Sequence, residues 1–582
     1  MSAPNRNVLW GRAVVSELVA AGVDAVCVSP GSRSTPLTVA AAEHDELRLF
    51  SHLDERSAAY FALGRARRSG RVTPLVCTSG TAAANYHPAV VEASQARVPL
   101  LMLTADRPPA LRDSGANQTI DQEKLYGDAV REFVDLPEPE ADERKLRSLR
   151  TTVGRAVATA EGTPAGPVHL NVPFRKPLEP VEVPADVPAD LDPEAAAGRD
   201  RAFVDAHAGQ PTLDQRDLQP LSRALSAERG LVVAGPADPP GLDPEAVTAL
   251  AHATGFPVLA DPLSGVRFGG QTRTAPVLGG YDGFLEEAVV ADWPEPEVVL
   301  RLGASPTSKV LRKYLADVDA RQFVVDPAGE WREAEFTATD LVVADPSRLA
   351  GQLARVVDAP DDPEWRALWA DAEAAHWDAV DDAVDAGEPV EGRVLADVFE
   401  TAPQPATVFV SNSMPVRDAD RFGEPSEAAL TVLGNRGASG IDGILSTGLG
   451  AGAATTDDLT VVVGDLATYH DMNGLLAATR CGVDVTVVCV DNDGGGIFHK
   501  LPIESYDPPF TEQFKTPHGL DFEPAGELYD LDFHRTGLDG FRETYADCVG
   551  GGRDLVVVET DAEASHRARE ALKARVVERL TE

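Results

Sequence analysis

This chain predicts an α/β architecture of three doubly wound domains with parallel sheets, and three observations carry that prediction. Short β-branched runs alternate with helix-like stretches, the pattern of successive βαβ units. The 582 residues exceed what one hydrophobic core supports. Two stretches rich in Pro, Asp and Ala, without apolar periodicity, divide the chain. The expected boundaries are a first domain over 1–182, a linker over 183–205, a central α/β domain over 206–357, a linker and helical segment over 358–388, and a last domain over 389–582.

The elements follow in order. Residues 7–21 form an amphipathic helix pattern, followed by the strand "DAVCVS" and the loop "PGSRSTP". "RLFSHLDERSAAYFALGRARRSG" reads as strand then helix, "TPLVCTSG" as a strand before a further helix, and "PLLMLTADRP" as another strand. The central region contributes "GLVVAG", "PEVVLRLG" and "RQFVVD". "DAPDDPEW" leads into an acidic helical segment, and the last region opens near 390. "AVCVSPGSRSTPL" and "TVFVSNSMPVRD" share one plan of strand, Ser-containing loop and helix start. That plan suits two related sheets with ligands at their carboxyl edges.

Composition narrows the classes. The 52 basic and 93 acidic residues give a net charge of −41, and only eight of the basic residues are lysine. Acid spread along the whole chain disfavours nucleic acid and anionic lipid as partners and suits a high-salt interior. No apolar run approaches a membrane span, and Arg12, Glu17 and Asp24 interrupt the apolar residues of the N-terminal stretch, so the expectation is a cytoplasmic protein without a signal peptide. The five cysteines form no CxxC pair, and Cys27, Cys77 and Cys489 sit in strand-like runs as buried thiols. No HExxH spacing occurs among the twelve histidines.

The segment "VVVGDLATYHDMNGLLAATRCGVDVTVVCVDNDGGGIFHKL" carries the chemistry. In a βαβ unit both strands end at one sheet edge, which brings Asp465 beside Asn492. A carboxylate, an amide oxygen and a backbone carbonyl make a hard oxygen set suited to Mg²⁺, and Gly494, Gly495 and Gly496 would let the backbone approach a phosphate. The same spacing also fits an ordinary crossover with a polar rim.

Here the sequence resembles the thiamin diphosphate enzymes, whose motif is written GDG…NN; Leu466 and Asp491 depart from it, and the presumed ligands Asp465 and Asn492 match. "SPGSRSTPL", "DERSAAYFALG", "TSGTAAAN", "LTADRP", "GANQTI", "SNSMPVRD" and "NRGASGIDG" are together similar to one family, the 2-succinyl-5-enolpyruvyl-6-hydroxy-3-cyclohexene-1-carboxylate synthases of menaquinone biosynthesis. The resemblance is specific in the first and last regions and thin in the middle.

It implies three domains of the thiamin diphosphate type: pyrimidine-binding, central, and diphosphate-binding. Glu55, otherwise a solvated first-turn glutamate, would bond the cofactor's pyrimidine, with partial burial and a raised pKa, while Asp54 faces elsewhere. Thr78, Ser79, Gly440, Ile441, Gly464, Asp465, Asn492, Gly494, Gly495, Ile497 and Phe498 would complete the cofactor site, although Ile441, Ile497 and Phe498 could equally be core. Asp465, Asn492 and Gly494 would hold Mg²⁺, with Mn²⁺ an alternative. Ser32, Arg33, Arg107, Asn117, Gln118, Lys309, Ser413, Arg417 and Arg436 would receive substrate. A lone loop arginine is usually solvated, but several on sheet edges fit carboxylate recognition. Val310 follows Lys309 where some family members carry a second cation, which weakens the match there. His470 and His499 read as structural.

The implied reaction is decarboxylation of 2-oxoglutarate and conjugate addition of the resulting succinyl-semialdehyde carbanion to isochorismate, in a homodimer or dimer of dimers with shared sites. The alternatives are another thiamin diphosphate 2-oxoacid decarboxylase or carboligase, and a non-catalytic Mg²⁺–diphosphate binding protein.

Overall fold

The structure, a computed structural model, describes residues 3–360 and 362–582. Met1 and Ser2 in the expected first domain, and Asp361 in the expected 358–388 segment, lie outside the described residues. Two compact units emerge, one comprising Met1–Ala208, Asn435–Thr456 and Asp471–Val483, the other Gly209–Gly434, Asp457–His470 and Asp484–Glu582.

The first unit holds a parallel sheet of β1 (Ala25–Val28), β2 (Arg48–Ser51), β3 (Thr73–Cys77), β4 (Leu100–Asp106), β5 (Glu132–Asp135) and β6 (Pro167–Pro173). Its order is β2-β1-β3-β4-β6-β5. The inner strands β1, β3, β4 and β6 are buried through their length because helices cover both faces, whereas the edge strands β2 and β5 keep exposed charged residues. In the helix Glu143–Ala160, Leu146, Leu149, Val153, Ala156, Val157 and Ala160 fall on one face and enter the core with Val26, Val76, Leu101 and Leu170. The stretch expected as a linker includes a short helix, Pro193–Ala197, whose Ala195 and Ala196 carbonyls accept from buried Arg150 (3.1 and 3.0 Å).

The helix Glu55–Ser69 crosses the helix Ile444–Gly452 within this unit. A Cβ at Gly64 would lie 1.8 Å from the Thr447 carbonyl oxygen, and one at Gly450 would lie 1.9 Å from that of Phe61. The backbones meet at a distance that only glycine permits.

The second unit carries two further parallel sheets. One contains β7 (Gly230–Ala234), β8 (Val258–Ala260), β9 (Val277–Leu278), β10 (Val298–Leu302), β11 (Arg321–Val325) and β12 (Asp340–Val342), ordered β12-β11-β10-β7-β8-β9. The other contains β13 (Ala406–Val410), β14 (Leu430–Leu433), β15 (Asp458–Gly464), β16 (Val485–Asp491), β17 (Asp532–Gly537) and β18 (Arg553–Glu559), ordered β14-β13-β15-β16-β18-β17. The helix Pro363–Asp385 fills most of the 358–388 segment and buries Trp365 and Trp369 among Leu231, Val299 and, from the C-terminal helix, Leu572.

The first and last sheets share one strand order, and the three pivots share a bond. Ser29 N–H donates to Val76 (2.9 Å), Gly235 to Leu302 (2.8 Å) and Ser411 to Val462 (2.9 Å). Each bond closes the gap where strand order reverses, the place at which open α/β sheets bind ligands. All five cysteines are free and buried. Among the described residues no helix is long and apolar enough to cross a membrane.

The glycine crossing gives a stability test. Gly450→Ala should cost about 1–3 kcal/mol by overpacking, whereas Gly537→Ala, whose added methyl meets nothing within 4 Å, should stay within about 0.5 kcal/mol. Denaturant unfolding in concentrated KCl measures both.

Candidate active site

In the last sheet β15 and β16 pair in parallel with Gly464 beside Val490, so Asp465 and Asn492 leave one edge together. Asp465 is 2 % exposed. Its Oδ2 accepts from the backbone N–H of Gly494 (2.8 Å) and Asn492 (3.2 Å), and its Oδ1 from that of Leu466 (2.6 Å). Burial pushes its acid up, the backbone donors pull it down, and neighbouring Asp491 adds to the rise. Gly494 has a φ of 135°, and a Cβ there would lie 2.0 Å from the Lys515 carbonyl oxygen. The glycine is therefore demanded first by the chain packed behind it.

Asn492 Nδ2 donates to Glu391 Oε1 (2.9 Å), which leaves Asn492 Oδ1 buried without a partner. A buried acceptor without a donor costs about 1–3 kcal/mol. A divalent cation would relieve that cost. Asp465, Asn492 Oδ1 and the Gly494 carbonyl supply the hard oxygens that Mg²⁺ takes, so the residues fit the ion. Asp491 and His518 bring further ligand atoms, which with Asp465 all lie within 4.8 Å of one another. His518 Nε2 stands 3.2 Å from Asp465 Oδ2.

Glu391 and His518 escaped sequence reasoning, since neither sits in a recognisable motif. Glu391 is held by Thr560 Oγ1 (2.9 Å) as well as by Asn492, and burial and Asp418 push its acid up to about 7.

Ile497 and Phe498 are half-buried rather than core, with Phe498 edge-on to Phe514 at 5.5 Å. His499 is buried, bonded to Glu504 (2.9 Å) and set against Phe510; His470 is exposed. Elsewhere His534, Cys548 and Asp554 converge. There Asp554 already bonds His534 (2.9 Å), and burial pushes the thiol up to about 12, so it stays protonated.

Lys309 and Arg417 line one cavity of about 760 Å³. Lys309 opens the helix Lys309–Asp317, whose N-cap Ser308 also donates to Asp282 (2.7 Å). Ser413 has a positive φ of 72°, a strained conformation for serine, and its carbonyl accepts from Arg417.

The first unit assembles the other residues. Asp54 caps the helix Glu55–Ser69 by accepting from Arg56 (2.8 Å) and Ser57 (3.4 Å). Half-buried Glu55 lies at its first position, near enough to Cys77 and Tyr86 to help hold both protonated after burial has done most of that. Thr78 and Ser79 are buried; Thr78 Oγ1 accepts from Arg33 N–H (3.2 Å), and Ser79 and Gln118 exchange two bonds (3.0 and 3.1 Å). Ser32 and Asn117 are exposed on their loops.

Arg33 is buried, donates to the Phe174 carbonyl (2.7 Å), and is made a weaker base by burial and by Arg107. Arg107 Nε is buried without a hydrogen-bond partner. Half-buried Arg436, Gly440 and Ile441 belong to a loop clamped by Glu92, which accepts from Gly437 (2.8 Å), Ala438 (2.6 Å) and Ser439 (3.3 Å). The Tyr60 hydroxyl donates to Asp442 beyond it. Glu92 escaped sequence reasoning, whereas Asp442 lies within the quoted stretch "NRGASGIDG".

Comparison with known proteins agrees with this layout. Three family profiles match in succession: "Thiamine pyrophosphate enzyme, N-terminal TPP binding domain" over 10–125, "Middle domain of thiamine pyrophosphate" over 199–410, and "Thiamine pyrophosphate enzyme, C-terminal TPP binding domain" over 423–559. Full-length relatives are named 2-succinyl-5-enolpyruvyl-6-hydroxy-3-cyclohexene-1-carboxylate synthase. The Halorubrum lacusprofundi protein is 64% identical over 99% of this chain and 98% of its own length. That of Haloquadratum walsbyi is 60% identical over the whole of both chains. The Roseiflexus castenholzii protein is 46% identical over 98% of each. This chain therefore belongs to the thiamine pyrophosphate enzymes, within the family of the 2-succinyl-5-enolpyruvyl-6-hydroxy-3-cyclohexene-1-carboxylate synthases.

Proposed function

We propose that this thiamin diphosphate enzyme uses Mg²⁺, decarboxylates 2-oxoglutarate and adds the four-carbon remainder to isochorismate, giving 2-succinyl-5-enolpyruvyl-6-hydroxy-3-cyclohexene-1-carboxylate for menaquinone biosynthesis. The names of the full-length relatives support this reading. The observation that carries it to dianionic substrates is the Arg33–Arg107 pair. Two neighbouring guanidinium groups, one with a buried unpartnered N–H, are poised for an anion.

Thiamin diphosphate supplies the electron sink for CO₂ loss and the carbon nucleophile for the new bond. The chain holds and orients it. Glu55 would share a proton with the pyrimidine ring. Asp465, Asn492 Oδ1 and the Gly494 carbonyl would hold Mg²⁺, and Gly464, Gly495, Thr78, Ser79 and Gly440 would shape the loops around the cofactor. Ile441, Ile497 and Phe498 exclude water. Arg33, Arg107, Arg436, Arg417 and Lys309, with Ser32, Asn117, Gln118 and Ser413, receive the substrates. The segments 1–182, 206–357 and 389–582 serve as pyrimidine-binding, central and diphosphate-binding domains. The assembly is a homodimer or dimer of dimers, with Glu55 of one copy serving the metal loop of another.

Four outcomes are expected. CO₂ release from 2-oxoglutarate, in concentrated KCl with cofactor and Mg²⁺, should depend on isochorismate; equal release without it would favour a plain decarboxylase. Glu55→Gln should cut turnover about 10²–10⁴-fold with diphosphate binding retained, an outcome a mere binding protein could not give. Mixed Glu55→Gln and Asp465→Ala chains should regain activity after verified subunit exchange, and no recovery would count against shared sites. Glu391→Ala should loosen Mn²⁺ about 10–100-fold by freeing the Asn492 amide, as followed by calorimetry.

A further inference from the structure

The backbone N–H groups from Asn492 to Gly496, which follow β16, are all engaged. Those of Asn492 (3.2 Å) and Gly494 (2.8 Å) donate to Asp465, and that of Asp493 to Asp491 (3.2 Å). That of Gly495 donates to the Lys515 carbonyl (2.7 Å) and that of Gly496 to the Gly494 carbonyl (3.0 Å). The glycine-rich loop therefore gives these donors to its own fold and not to a phosphate. A diphosphate held here through a metal ion takes its hydrogen bonds from other groups.

His518 offers such a group. Its segment is docked on the loop by Asp493, which has a positive φ of 57° and accepts from the backbone N–H of His518 and Gly519 (2.8 Å each). The imidazole lies edge-on to Phe522, and its Nδ1 accepts from the Leu520 N–H (3.0 Å). That bond puts the N–H of the ring on Nε2. Nε2 is buried, stands 3.2 Å from Asp465 Oδ2 and makes no hydrogen bond. Asp465 Oδ2 cannot accept from it, because Asn492 and Gly494 already occupy its two lone pairs. Bearing a hydrogen, Nε2 faces the carboxylates of Asp465 and Asp491 as a donor rather than as a metal ligand. A buried donor without an acceptor is destabilising. The carboxylate thus calls for a cation and the adjacent N–H for an oxygen anion, and a metal-bound diphosphate meets both demands.

We propose that His518 is a cofactor-binding residue whose Nε2–H donates to a diphosphate oxygen of thiamin diphosphate, in place of the engaged backbone of the glycine loop. The inference rests on the reading of Asp465 and Asn492 as the Mg²⁺ site.

The test is calorimetric titration of the full chain with thiamin diphosphate, in concentrated KCl, with and without Mg²⁺. His518→Phe keeps a ring against Phe522 and removes the N–H; it should weaken cofactor binding about 10–100-fold, as should His518→Ala. His518→Gln, which restores a side-chain N–H, should recover most of the loss. Affinity for Mn²⁺ alone should stay within about twofold in all three, and the phosphorus NMR resonances of bound cofactor should move in His518→Phe. Denaturant unfolding verifies that each variant is folded. Unchanged cofactor affinity in folded His518→Phe would overturn the contact. So would weaker Mn²⁺ binding without cofactor, which would make His518 a metal ligand, or unmoved phosphorus resonances. Cofactor binding that needs no divalent ion yet still depends on His518 would overturn the Mg²⁺ reading and leave the contact standing.

Discussion

Taking the carboxylate of Asp465 out of water costs several kcal/mol, and the loop around it is shaped to offset that cost. Three backbone N–H groups turn toward one side chain, and in doing so they fix where Asn492 and Gly494 stand. The strands beneath supply the register; the carboxylate converts register into a binding loop. Glu391 completes the arrangement by holding the Asn492 amide in one orientation. Remove the negative charge and the loop loses the reason for its curvature, even though β15 and β16 would still pair.

Much of this was legible in the sequence, because strand ends and helix starts leave local patterns. The three α/β regions, the convergence of Asp465 and Asn492 across 27 positions, and the kinship of the loops after Ala25–Val28 and Ala406–Val410 all follow from local patterns. The shared strand order of the first and last sheets gives that kinship a physical form. What stayed hidden depends on distant partners. Glu391 meets a residue 101 positions away and Glu92 one 345 away. Such pairs have no period and no spacing.

The chain divides its cations by chemistry. Arginine works inside the fold as a clamp on backbone carbonyls: Arg267, fully buried, donates to Ala260, Ala419, Asp420, Gly423 and Gly279 as well as to the Asp420 carboxylate. A planar fork with five N–H groups suits that task. Lysine, a compact charge on a flexible stem, stands instead around the 760 Å³ cavity, at Lys309, Lys313, Lys500 and Lys573. In strong salt the screening length falls to about 3 Å at 1 M, so long-range attraction cannot guide an anion to its place. Recognition must then come from direct contact.

The chain passes between its two compact units five times, at 208–209, 434–435, 456–457, 470–471 and 483–484. Neither unit is a contiguous segment, so no single truncation can excise one intact. The helix Ile444–Gly452, which Gly64 and Gly450 admit so closely against Glu55–Ser69, is made some 380 residues after its partner. During synthesis the first sheet therefore waits, one helical face uncovered, until most of the enzyme has been translated.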